Sequence, residues 1–96
     1  MMELKLSARE YLSRGDSYEE KMRYMVEAGY DAIELTGRPD ILEVTDEIAD
    51  ASRNTGCAVS TICSGGRGAL MAAERDQRDI ALEDLNNFLT AAGQIG

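Results

Sequence analysis

Glu34 lies between Ile33 and Leu35 in the run Tyr30-Asp31-Ala32-Ile33-Glu34-Leu35, and its chemistry follows from that placement. In a strand, Ile33 and Leu35 share one face and Glu34 takes the other. A carboxylate on a strand face must be paired or hydrogen-bonded, because burying it alone is costly. Lys5, on the polar face of a neighbouring strand, is the expected partner. Glu34 is therefore a candidate for substrate-hydroxyl binding or acid/base work, or else one half of a structural ion pair.

The second chemical feature is the loop Ser64-Gly65-Gly66-Arg67-Gly68. Backbone N–H groups at Ser64, Gly65 and Gly66 can wrap an oxyanion, and Arg67 can close a bidentate clamp on it. The loop is not a Walker sequence, since no Gly-Lys-Ser/Thr follows, and it lacks the GxGxxG spacing. Its alternative is a plain strand-to-helix turn, where glycine permits positive φ. Arg38, just before Pro39, has the same two readings: an anion contact or a solvated loop charge.

Other chemistry is missing. The chain has no histidine, which removes the commonest general base and the commonest metal ligand together. Acidic stretches such as Glu43, Asp46, Glu47 and Asp50, or Asp79, Glu83 and Asp84, read as solvated helix faces, so no metal site is expected. Ten basic against eighteen acidic residues give a net charge of -8, which disfavours nucleic acid and anionic membranes as partners. No apolar run is long enough to span a bilayer, and the N-terminus carries no secretory pattern. Cys57 and Cys63 stand six positions apart; on a strand that is about 20 Å, too far for a disulfide. Free thiols point to a reducing, cytoplasmic setting.

The elements that must position these residues follow from periodicity. Leu4 and Leu6 alternate with Glu3, Lys5 and Ser7, predicting a strand over 2–7. Ser17 with Glu20 three residues on is a capping box, and Tyr18, Met22, Met25 and Val26 recur at helical spacing, predicting a helix over 17–28 closed by Gly29. A strand over 31–36 follows. A helix over 40–55 carries the stripe Ile41, Val44, Ile48 and Ala51, and Gly56 caps it. A β-branched strand over 58–63 leads into the glycine loop. A last helix over 75–93 presents Ala81, Leu85, Phe88, Leu89 and Ala92 and closes at Gly93. The order βαβαβα predicts an α/β fold with a parallel sheet, helices on its outer face. Glu34, Ser60 and Ile62 are expected on the other, open face.

Lys5-Leu6-Ser7, the segment from Glu19 through Gly29-Tyr30-Asp31-Ala32-Ile33-Glu34-Leu35, Gly37-Arg38-Pro39, and Val59 to Gly65 together resemble the N-terminal part of sugar phosphate isomerases/epimerases of the xylose isomerase-like TIM-barrel superfamily. The resemblance implies that residues 1–96 form one partial-barrel domain, three consecutive βα units of a (β/α)₈ barrel. Active sites of such barrels lie at the carboxyl ends of the strands, here Ser7 to Glu10, Glu34 to Arg38 and Cys63 to Arg67. It implies metal-assisted isomerisation or epimerisation of a sugar or sugar phosphate. The divalent metal of a full-length relative is held mostly on later strands, so no cofactor is expected in this chain. The expected partners are the remaining barrel portion or further copies of the chain, since both outer strands would keep open edges. Two alternatives are a non-catalytic oligomerising module and a binder of small anionic metabolites.

Overall fold

The computed structural model describes residues 4–63 and 67–96. Three strands, β1 (Ser7–Arg9), β2 (Ala32–Thr36) and β3 (Ala58–Cys63), form a parallel sheet in the order β1-β2-β3. Helices α1 (Tyr18–Glu27), α2 (Thr45–Thr55) and α3 (Arg75–Ile95) alternate with them, and short 3₁₀ turns occupy Glu10–Leu12 and Ile41–Glu43. No described helix is long and apolar enough to cross a membrane.

Helix α1 starts as its sequence requires. The Ser17 side chain accepts from the Glu20 N–H at 3.1 Å, while the Glu20 carboxylate accepts from the Asp16 N–H, one residue before the usual capping-box partner. It ends in a Schellman motif. Gly29 takes φ +98°, its N–H donates to the Val26 carbonyl, and the Tyr30 N–H donates back to Met25.

The core lies between the sheet and the helices. Ile33 and Leu35 of β2 are fully buried against Met22 and Met25 of α1 and Ile48 and Ala51 of α2. Ala8 extends this core on β1, and Val59 and Ile62 extend it on β3. A smaller cluster joins Ile41 to Phe88 and Ala91 of α3, with Val44 and Ile62 touching both clusters.

Four expectations change. The first strand begins at Ser7, not at residue 2; Leu4 and Leu6 are exposed, because pairing starts where β2 offers a partner and Ser7 pairs with Ala32. Asp31 sets that point: its carboxylate accepts from the Leu6 N–H, and its own N–H donates to the Leu6 carbonyl. The helix expected from residue 40 begins at Thr45. Residues Ile41–Glu43 form a separate turn that aims Ile41 at α3, while Ile48 faces α1 and the sheet. Gly93 does not cap the last helix, which runs on to Ile95 with Gly93 inside it.

The fourth change concerns facing. The register shifts by one between Ile33/Glu34 and β3, so that Ile33 pairs with Val59 but Glu34 with Thr61. Ser60 is the extra residue of a bulge. Its hydroxyl donates to the Ile33 carbonyl at 3.2 Å and meets the Ser7 hydroxyl at 2.7 Å. The shift turns Ile62 toward the helices beside Leu35 and puts Thr61, not Ile62, on the open face with Ser60 and Glu34.

Burial ranks the α1 positions. Met22→Ala is expected to lower unfolding stability by about 2–5 kcal/mol, and Val26→Ala, at a site 39% exposed, by about 0.5 kcal/mol or less. Equilibrium urea unfolding of the two variants checks this ranking.

Candidate functional site

The carboxyl ends of β1 and β2 bring Arg9, Glu10, Glu34 and Arg38 near one edge of the sheet. Arg9 and Glu34 are register partners on β1 and β2, and both lie on the face opposite Ala8, Ile33 and Leu35. Thr61 extends the row on β3. The open face therefore presents a cation, a carboxylate and a hydroxyl on adjacent strands, about 4.8 Å apart.

Glu34 is half-buried on this face, as its alternation with Ile33 and Leu35 requires. Lys5 is not its partner. With β1 beginning at Ser7, Lys5 precedes the sheet and is exposed, and Arg9 takes the register position beside Glu34. None of the ion pairs among the described residues involves Glu34.

Glu10, on the opposite side of the chain from Arg9, ties the layers together. One carboxylate oxygen accepts from Lys21 of α1 at 2.8 Å, and the other from the Thr36 N–H at the end of β2 at 3.0 Å. The Lys21 ammonium also sits 5.3 Å from the Tyr18 ring centroid. Beyond Thr36 the chain passes beneath α3 at Gly37, whose N–H donates to the Cys63 carbonyl at 2.7 Å. A Cβ there would meet that carbonyl at 2.7 Å and the Phe88 ring at 2.8 Å, so only glycine fits the crossing.

The two arginines singled out as anion contacts are already engaged. Arg38 forms a fork with Asp40, at 2.5 Å from Nε and 2.7 Å from Nη2, and reaches the Tyr18 hydroxyl. That hydrogen-bonded pair raises the Arg38 pKa and lowers that of Asp40. Arg67 clamps Asp84 of α3: its Nη2 donates to Oδ1 at 2.9 Å and its backbone N–H donates to Oδ2. The Arg67 hydrogen bonds hold the Asp84 carboxyl below the usual carboxylate range. Ser64, Gly65 and Gly66 lie outside the described residues.

Asp84 is not a solvated surface acid. It is 1% exposed, on the inward stripe Ala81, Asp84, Phe88 and Ala91, while Leu85 and Leu89 face outward. Periodicity alone assigns leucines inward and carboxylates outward. The cover supplied by Arg67, seventeen residues earlier, reverses that assignment. A cavity of about 230 Å³ opens beside this pair, lined by Arg67, Leu70, Asp84 and Phe88.

No three His, Cys, Asp or Glu side chains converge as a metal site among the described residues. Cys57 and Cys63 are both free, Cys57 buried before β3 and Cys63 at its end. Desolvation raises the Cys57 thiol pKa.

No family model matches the chain. Over 77 residues, 80% of the chain, it is 30% identical to the Escherichia coli (strain K12) 3-dehydro-D-guloside 4-epimerase, of which the match covers 29%. Its fold superimposes on the apo crystal structure of the E. coli 3-keto-D-glucoside 4-epimerase, YcjR, with a TM-score of 0.87 and 26% identity. That superposition covers 98% of this chain and 35% of the epimerase chain. The chain thus spans about a third of the length of the sugar epimerases it resembles.

Two outcomes follow from the charge geometry. Glu10→Ala is expected to cost about 1–3 kcal/mol in denaturant unfolding, because it orphans the Thr36 N–H and the Lys21 ammonium. Asp84 is shifted down in the folded state, so its stabilisation is fully present above the ordinary carboxylate range and fades as pH falls through its lowered value. Acid titration of thermal stability should show this loss in the native sequence and a shallower slope in Asp84→Asn.

Proposed function

We propose that this chain forms three consecutive βα units of a (β/α)₈ barrel that epimerises or isomerises a sugar, its active face at the carboxyl ends of the strands. The superposition of nearly the whole chain on one third of a sugar epimerase at a TM-score of 0.87 carries this reading. The three-stranded parallel sheet with helices on one face supports it. Rows of polar side chains at the carboxyl ends of β1, β2 and β3 support it further.

The chemistry is proton transfer at a carbon beside a carbonyl. A proton leaves one face of that carbon, the electron pair is delocalised onto the carbonyl oxygen, and a proton returns from the opposite face. Epimerisation therefore needs groups on both faces of the sugar, and one open arc of sheet supplies only one of them. Glu34, half-buried and without an ion-pair partner among the described residues, is placed to accept a hydrogen bond from a substrate hydroxyl. No three His, Cys, Asp or Glu side chains among the described residues form a metal centre.

A neutral sugar fits better than a sugar phosphate. Arg38 and Arg67 each hold a carboxylate of the chain itself, so a phosphate would have to displace Asp40 or Asp84. The open edges of β1 and β3 are covered by the remaining barrel strands or by a second copy. The free thiols of Cys57 and Cys63 support a reducing, cytoplasmic setting.

The decisive measurement is deuterium uptake from D₂O at the carbon beside the ketone of a 3-keto-glycoside, followed by proton NMR. A complete barrel containing these 96 residues should exchange that hydrogen and invert the carbon, and the 96 residues by themselves should do neither. Absence of exchange with that complete barrel would overturn the reading.

A further inference from the structure

The cavity of about 230 Å³ between the segment before α3 and the first half of that helix is lined by Arg67, Leu70, Ala81, Asp84, Leu85 and Phe88. It adjoins the carboxyl ends of the strands. Phe88, one of its walls, packs against Gly37 just past the end of β2, where the Gly37 N–H also holds the Cys63 carbonyl at the end of β3.

The outer wall is fixed to the helix on both sides of Leu70. Before it, the Arg67 N–H donates to Asp84 and the Ala69 N–H to the Gln77 carbonyl at 3.3 Å. Gly68 leaves no room for a Cβ against that same carbonyl. After it, Nη1 of Arg78 donates to the carbonyls of Ala72 and Ala73 at 2.9 and 2.7 Å. The opening is thus held by tethers on either side, and the Leu70 and Leu85 side chains on its rim are 53% and 40% exposed. A concave apolar surface kept open next to a few polar groups is the usual form of a small-molecule site.

The polar side of the cavity decides what fits. Half of the Arg67 side chain is exposed; its Nε and Nη2 are taken by Asp84, and Glu83 lies 3.6 Å from Nη2. Its Nη1 has no partner among the described residues and is the donor left for a ligand. Two carboxylates around one guanidinium disfavour an anion, and the leucine and phenylalanine walls disfavour a charge of either sign. Size narrows the choice further. A dry cavity of roughly 150 Å³ lined by such residues takes benzene, and pockets for drug-sized ligands start near ~300 Å³. This one holds a single neutral six-membered ring.

We propose that the cavity is the subsite for the aglycone of a glycoside substrate whose sugar lies over the strand ends. The aglycone is a neutral ring packed on Leu70, Leu85 and Phe88, and Arg67 Nη1–H donates to an oxygen that it carries. Asp84 is a positioning residue that holds the guanidinium in place. This assignment rests on the sugar-epimerase reading and names the part of the substrate recognised beyond the reacting sugar.

The test compares methyl and phenyl 3-dehydro-β-D-glucopyranosides as substrates of a complete barrel containing these residues. The native protein should prefer the phenyl glycoside by about tenfold in kcat/KM, chiefly through KM. Leu70→Ala and Leu85→Ala cut back the wall at half-exposed positions, so both variants are expected to fold. Each should reduce the preference to about threefold or less. In leucine methyl NMR of the native protein, the Leu70 and Leu85 signals, identified by their loss in the variants, should move with the phenyl glycoside and not with the methyl glycoside. Equal kcat/KM for the two glycosides, leucine signals that stay still during saturable phenyl binding, or an undiminished preference in both variants overturns the subsite and leaves the sugar reading standing. Turnover of neither glycoside overturns both.

Discussion

Everything in this structure is referred to β2, because among the described residues it alone is paired on both edges. Ile33 and Leu35 point from it into the helix layer, where Met22, Met25, Ile48 and Ala51 close over them. Burial of two such side chains contributes about 3–6 kcal/mol at ordinary transfer values. That is a large part of the net stability of a small domain. The same alternation leaves Glu34 no place except the opposite face. Core and candidate site are thus two sides of one strand, and neither can be moved without the other.

Electrostatics then sorts the charged groups at the strand ends. With eighteen acids to ten bases, the chain has carboxylates to spare, and it uses them on its own cations. Lys21 goes to Glu10, Arg38 to Asp40 and Arg67 to Asp84. The first fastens α1 to the end of β2, the second closes within the loop after β2, and the third fastens the segment before α3 to that helix. Arg9 is the exception at these strand ends: its guanidinium lies 5.5 Å from the Tyr11 ring centroid, and its enclosed Nε has no acceptor among the described residues. A cation spared from such an acidic chain is more informative than one in a basic chain.

Much of this was legible in sequence. The βαβαβα order, the capping of α1 by Ser17, the glycine at position 29 and the inward facing of Ile33 and Leu35 all follow from local rules that the structure obeys. Non-local effects were hidden. Alternation at Leu4 and Leu6 is a true strand pattern, but a strand also needs a neighbour, and β2 offers none before Ala32. Asp84 reads as surface until Arg67 covers it. Ile41 reads as one stripe with Ile48 until α3 offers it a separate cluster. Arg9 lay within the expected stretch Ser7 to Glu10, yet the two-residue rhythm singled it out only once β1 was known to start at Ser7. Placing that start needed Asp31, twenty-four positions later in the chain.

The bulge at Ser60 has a consequence for how this strand tolerates change. Before it, odd-numbered Val59 faces the helices; after it, even-numbered Ile62 does. The strand is read in two frames joined at one serine. Loss of residue 60 alone would close the bulge and make the pairs Ile33–Val59, Glu34–Thr61 and Leu35–Ile62 consecutive, with Val59 and Ile62 still facing inward. The join at Ser60 is thus the place in β3 where one residue can be lost without turning the core side chains outward, whereas a one-residue slip in an unbulged strand moves every side chain to the other face.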